Sequence, residues 1–219
     1  MSSFPGSPKL LKGGLVLLDA DSSVVKRVIV LQYNPDTLSR TLQVQATGGE
    51  GSDRSEALRI KGPPVETIKI DAEIDATDQL EFPDQNINAT TYGVQPQLSA
   101  LETILYPESG MLELNNILSN LGTIEIIPMK APLVLFVWSQ NRVLPVRLTD
   151  FSITEEAFDT SLNPIRAKVS LGMRVLSIND VEFSSKAGGL FMVHHQQKEQ
   201  LAQKAPSGTL GALGLSGVP

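Results

Sequence analysis

The stretch VIVLQYNPDTLSRTLQV, residues 28–44, halts an apolar run at Asn34-Pro35 and then resumes it. Proline fixes φ and pushes the residue before it out of the helical region, while Asp36 can bond its own local backbone. The NPDT tetrapeptide therefore predicts a tight turn. Beyond it Leu38, Leu42, Val44 and Ala46 alternate with Ser39, Thr41, Gln43 and Gln45, the period of a half-buried strand. On this reading residues 24–46 form a long hairpin with Tyr33-Asn34-Pro35 at its shaped tip.

Working outward, Leu15–Asp19 and Val24–Tyr33 are apolar runs separated by DADSS, a polar turn cluster. VETIKIDAEIDA, residues 65–76, alternates most cleanly: Ile68, Ile70, Ala72, Ile74 and Ala76 point one way, and Thr67, Lys69, Asp71, Glu73 and Asp75 the other. PLVLFVWS, residues 132–139, is apolar on both faces, so both must be buried in the fold or at a subunit contact. Along residues 141–158, Leu144, Val146 and Leu148 share one phase while Phe151 and Ile153 take the other, which predicts a β-bulge near Thr149-Asp150. In PIRAKVSLGMRVL, residues 164–176, Ile165, Ala167, Val169, Leu171, Met173 and Val175 face inward.

The period changes once. Leu98, Leu101, Ile104 and Leu105 share a helical face that Pro107 stops, and a second short helix is expected over Leu112–Leu121 with Gly122 as its cap. Residues 77–93 read as loop. TGGEGSDRSEA, residues 47–57, lacks the Gly-Lys-Ser/Thr ending of a phosphate cradle and reads as a flexible loop. The expectation is a mainly β domain over residues 1–178: a barrel of two orthogonal sheets, with a helical segment at about 94–122 covering an opening. Residues 179–219 are expected as a C-terminal helix and a Gly-rich tail. That helix, near 187–204, has a poor stripe of Leu190, Phe191, Val193 and Leu201. The tail keeps Leu210, Leu213, Leu215 and Val218, spaced as for docking onto a partner or left as a frayed terminus.

Composition narrows the function. Of 219 residues 41% are hydrophobic and 19% charged, enough for a sizeable core. Aromatic residues at 5% and a net charge of -6 argue against a nucleic-acid partner. With no cysteine, disulfides, thiolate metal sites and cysteine nucleophiles drop out. The N-terminal MSSFPGSPKLLKGG lacks a signal-peptide layout and no apolar run spans a bilayer, so cytosolic assembly without membrane insertion is expected. His194-His195 are sequence neighbours that cannot both face one metal from a regular helix, with only Glu199 near, and read as a polar helix surface. Glu155 and Glu156 point to opposite faces of a strand. No catalytic, cofactor-binding or metal residue is assigned.

Two charge ladders remain. Glu66, Asp71, Glu73 and Asp75 outnumber Lys69 on residues 65–76, and Arg166, Lys168 and Arg174 stand unopposed on residues 164–178. Either both are solvated faces, or they meet, within one sheet or between neighbouring copies.

A strand ending in LQYNP, then GPPVETIKIDAEIDA, then APLVLFVWS, then FDTSLNPIRAKVSLGMRVL, in that order over residues 14–178, resembles the tube-type proteins of contractile injection systems, the phage-tail-like particles of bacteria. The resemblance implies a tube-protein-like β-barrel. It implies that six copies form a homo-hexameric ring joining the spike hub and baseplate proteins to the inner tube protein, within a phage-tail-like particle. Longer relatives carry a LysM module, for which residues 179–219 are too short. Asn163 stands where relatives commonly place glycine, and asparagine tolerates a left-handed turn. A head-to-tail ring needs two different, complementary faces on each copy. The residues expected at that assembly interface are Tyr33, Asn34, Pro35, Asp71, Glu73, Asp75, Phe136, Trp138, Arg166, Lys168, Arg174, Leu210, Leu213 and Leu215. The bulk inner-tube subunit of the same particle is one alternative, a ligand-binding β-barrel another, and a hydrolase a third.

Overall fold

In a computed structural model of the chain, the structure describes residues 10–19, 22–45, 60–120 and 131–218. Among the described residues four strands, four helices, three strands and a last helix follow in order: β1 (Gly14–Leu18), β2 (Val25–Val30), β3 (Leu38–Gln43), β4 (Val65–Asp75), α1 (Thr77–Leu80), α2 (Ile87–Tyr92), α3 (Gln95–Glu102), α4 (Ser109–Asn120), β5 (Leu133–Ser139), β6 (Arg142–Phe158), β7 (Pro164–Val175) and α5 (Lys186–Gln203). The strands form one antiparallel sheet in the order β2-β1-β5-β6-β7-β4-β3. The expected mainly β class is observed. The pairing is a single ladder rather than two orthogonal sheets, and among the described residues it does not close on itself.

The expected hairpin over residues 24–46 does not exist. β2 pairs with β1 and β3 pairs with β4, so the two lie at opposite ends of the sheet. The true hairpin is β1–β2, closed where Asp19 accepts hydrogen bonds from the Ser22 N–H and hydroxyl and its own N–H donates to the Val24 carbonyl at 2.8 Å. Residues 31–37 instead carry the chain from one sheet edge to the other. Two carboxamides fasten that passage. Gln32 donates to the Asp75 carbonyl at 2.6 Å and accepts from the Asp75 N–H at 2.9 Å. Asn34 accepts from the Gly13 N–H at 2.9 Å and donates to the Leu11 carbonyl at 2.8 Å. Each side chain stands in for a missing strand, satisfying one donor and one acceptor at the end of a ladder. The tight turn expected at NPDT is not formed either: the chain bends at Gln32, Tyr33 and Asp36.

The regular strands follow their periods. Ile68, Ile70, Ala72, Ile74 and Ala76 of the β4 segment join Ala167, Val169, Leu171, Met173 and Val175 of β7 in one core. The bulge falls where the phase slips, between Leu148 and Asp150. β5 is an interior strand whose Val134, Leu135 and Phe136 are all buried, as its two apolar faces required. Val94, Leu98, Leu101 and Ile104 close the core from the α3 side, while Leu105, expected on the same face, is exposed.

Residues 77–93, expected as loop, hold α1, a single 3-10 turn (Pro83–Gln85) and α2. None exceeds six residues, too short to display a helical period. They end at Gly93, whose φ of +60° suits glycine, and a Cβ there would lie 2.1 Å from the Pro164 carbonyl oxygen. That close approach lets the Val94 N–H donate to the same carbonyl at 2.8 Å, tying the helical layer to β7. In the β6–β7 turn the left-handed residue is Leu162, with φ +65°, rather than Asn163. Asn163 contributes its carboxamide, donating to Asp159 at 2.8 Å and to the Thr91 carbonyl at 3.1 Å. The second helix begins three residues earlier than expected and no residue of it is buried; Leu121 and Gly122 lie outside the described residues. The expected helix near 187–204 is α5, capped by Ser185, which accepts from the Gly188 N–H at 3.1 Å.

Candidate assembly surface

β2 and β3 are the two edge strands, and they differ. Lys26, Val28 and Val30 alternate with Arg27 and the partly buried Ile29, and Val28 and Val30 are each 57% exposed. Beside them on the same face lie Val16 of β1 and Val137 of β5, both half-buried, because Val16 pairs with Val28 while Gly14 pairs with both Val30 and Val137. An edge strand with exposed valines is an apolar margin. β3 is the more polar margin, presenting Ser39, Thr41 and Gln43 on one phase, with one exposed leucine, Leu42 at 48%, on the other. α4 adds Leu112, Leu114 and Ile117, all exposed.

The charge ladders meet within one sheet. Asp75 stands opposite Arg166 and Glu73 opposite Lys168 in the β4–β7 register. Arg166 donates to Asp75 at 2.7 Å and has Glu73 at 3.7 Å. Lys168 reaches across to Glu156 on β6 at 3.0 Å, and Ser170 donates to Asp71 at 2.5 Å. Arg174 serves differently: it bonds Asp180 at 2.6 Å, and Asp180 also accepts from the Ser177 N–H and hydroxyl, which fixes the turn after β7. Burial alone would raise the Asp75 carboxyl, but hydrogen bonds from Thr77 and Arg166 outweigh it and hold the group below the ordinary carboxylate range. The same Asp75 bond raises Arg166.

Phe136 has 0% exposure and stacks on Trp138 with centroids 5.9 Å apart. In the folded chain it packs the core and offers no free surface. Trp138 is half-buried against Gly13, and Tyr33 is exposed while Asn34 and Pro35 are half-buried at the passage between sheet edges. Leu210, Leu213 and Leu215 are exposed around a short 3-10 turn (Leu210–Leu213) after α5.

Sequence reasoning missed one buried cluster. Glu66 falls in the inward phase of β4 with Ile68, on the opposite face from Asp71, Glu73 and Asp75, and is 5% exposed. Arg40 of β3 donates to one of its carboxylate oxygens at 2.7 and 2.6 Å, and Lys198 of α5 to the other at 3.0 Å. Burial pushes the Glu66 carboxyl up, yet Lys198 and Arg40 together carry it below its ordinary value. His194 sits one turn back from Lys198, 7% exposed, with a buried Nδ1 that has no partner. It is not the expected polar surface; that description fits only His195, exposed and 3.3 Å from Glu199. Burial first, then the Lys198 charge, lowers the His194 pKa, against opposing pulls from Glu66 and the Asn141 backbone. One signal was available: Glu66 and Arg40 each break an otherwise apolar phase, with opposite charges.

Among the described residues no group of three or more His, Cys, Asp or Glu side chains is placed to hold a metal, and no helix is long and apolar enough to cross a membrane. No known protein family model matches the chain, and no curated protein matches its sequence.

Proposed function

We propose that this chain is a structural part of a contractile injection system, a ring-forming adaptor whose six copies join the spike hub and baseplate to the inner tube. The observation that carries this reading is the pair of unlike edges on one open sheet, β2 with its exposed valines and the more polar β3 with a single exposed leucine. A ring repeats one heterologous contact, so each subunit must offer two different surfaces. Exposed valines on an edge strand are a liability for a solitary protein and an asset for one that pairs with a neighbour. The resemblance of four segments in family order supports the same conclusion. Arg166 and Lys168 remain partly open to solvent and would fix orientation more than strength. The work would be mechanical: a template of matching diameter and register for the tube.

The bulk inner-tube reading shares all of these features. Removing residues 205–219 separates the two, because every described residue there is exposed and the body should stay folded. An adaptor loses baseplate incorporation, whereas a bulk subunit still polymerises. A larger deletion that takes α5 would also strip Lys198 from Glu66. The ligand-barrel reading calls for a cavity among the inward isoleucines of β4: Ile68 has 0% exposure, whereas Ile74 lines a cavity of about 250 Å³ with Ile29, Leu31 and Leu101. Light scattering on the chain mixed with its hub and tube neighbours tests the proposal. A species of six-fold mass supports it, and a persistent monomer at all concentrations refutes it.

A further inference from the structure

We infer that α5 is an acid-sensitive latch, seated on the end of the sheet by the Glu66–Arg40–Lys198 link and released when His194 gains a proton. The geometry is specific. Ala187, Phe191, His194 and Lys198 fall on one helical stripe, which is why the apolar pattern of this helix looked poor: two of its inward positions are polar. Ala187 is buried and Phe191 packs against the core. Lys198 then ends the stripe on the buried carboxylate of β4, two strands along the sheet from β6, the strand α5 packs against.

The charge balance around His194 is tight. The groups acting on it are Lys198 from its own helix, Arg40 from β3, Glu66 from β4 and the Asn141 backbone from the β5–β6 turn. With His194 neutral, two cations share one buried anion, and both oxygens of Glu66 are already engaged. Protonation adds a third cation within the same pocket, and the unpartnered Nδ1 would become an N–H donor with no acceptor. Such a group is expensive to keep buried. Undocking the helix lets the imidazolium reach water.

The sign follows from linkage. His194 in the seated helix titrates below its free value of 6.5, so the released state binds the proton more readily. Seating is therefore complete above 6.5 and weakens as pH falls from there toward the lower, seated pKa. Glu66, also depressed, adds a second loss beginning below its ordinary 4.5, when its carboxylate starts to be neutralised in the released state. Between pH 6.5 and 4.5 His194, and not Glu66, governs the latch. Release would free α5 and the exposed leucines that follow it to move together as one arm.

The chain has no cysteine and one tryptophan, so a dansyl group on Gln203→Cys receives energy from Trp138 alone. The expected result is a loss of transfer between pH 7.5 and 5.0, the seating constant weakening by up to about tenfold per pH unit below 6.5. His195→Gln should titrate like the parent, and His194→Gln should stay flat until carboxylates protonate. Unchanged transfer in the parent down to pH 5.0, or a parental fall in His194→Gln, overturns the latch. Should His194→Gln fail to fold, the ring resonances of His194 in the unsubstituted chain decide: a midpoint below 6.5 supports the latch, and one at or above it refutes it.

Discussion

Gln32→Ala and Asn34→Ala separate a fastened passage between sheet edges from an exposed hairpin tip. At a tip, substitution of a polar residue away from packing changes stability by no more than about 0.5 kcal/mol. In the structure each side chain makes two hydrogen bonds to backbone groups that have no strand beside them: Gln32 to Asp75, and Asn34 to Gly13 and Leu11. At about 1 kcal/mol net per bond, each substitution costs ~2 kcal/mol, and more where the orphaned group is shielded from water. The two side chains engage opposite ends of the sheet but stand two residues apart on one passage, so the double substitution should cost between the ~2 kcal/mol of one site and the ~4 kcal/mol sum. That is a large fraction of the roughly 5–15 kcal/mol available to a domain. Urea unfolding followed by the fluorescence of Trp138, which packs against Gly13, reads it directly. In a melt, each single change should lower Tm by about 4–8 °C for a chain of this size. Single costs below 0.5 kcal/mol at both positions would refute the role assigned to residues 31–37.

Other outcomes follow from the same geometry. Gly93→Ala, which puts a methyl against the Pro164 carbonyl at a left-handed φ, should cost on the order of 2–3 kcal/mol in a melt and loosen the helical layer from β7. A double-mutant cycle on Asp75→Asn and Arg166→Met should return a small coupling that decreases with salt, since the arginine side chain is 42% exposed. Val28→Lys with Val30→Lys should leave the melt of the isolated chain within about 0.5 kcal/mol and abolish any ring, as read by light scattering with the neighbouring proteins present. Glu66→Gln should weaken the α5 seat even at pH 7.5, because Arg40 and Lys198 are left facing each other without the anion.

How much of this was legible in the sequence depends on the range over which each feature is written. The period-2 phases of β4 and β7 give their core faces residue by residue, and the phase slip between Leu148 and Phe151 locates the bulge, because alternation is local. Strand partners are not local. The Asn-Pro signal marks a change of direction equally well at a tip and at a passage between edges, and only the distant Gly13 and Asp75 decide between them. The buried cluster draws on residues 40, 66, 194 and 198, a span that spacing cannot bridge. Its trace was the pair of charges in apolar phase, Arg40 and Glu66. For the assembly surface, the ladders of opposite charge were visible as faces; that they satisfy one another within the sheet required the β4–β7 register.

Position in the native particle bears most directly on the central claim. Electron micrographs of intact phage-tail-like particles carrying a label on this chain should show it once per particle, in a six-fold ring where the plate meets the tube. A label running along the whole tube would make the chain the bulk subunit. Particles that form, complete and unlabelled, without this chain would contradict the account.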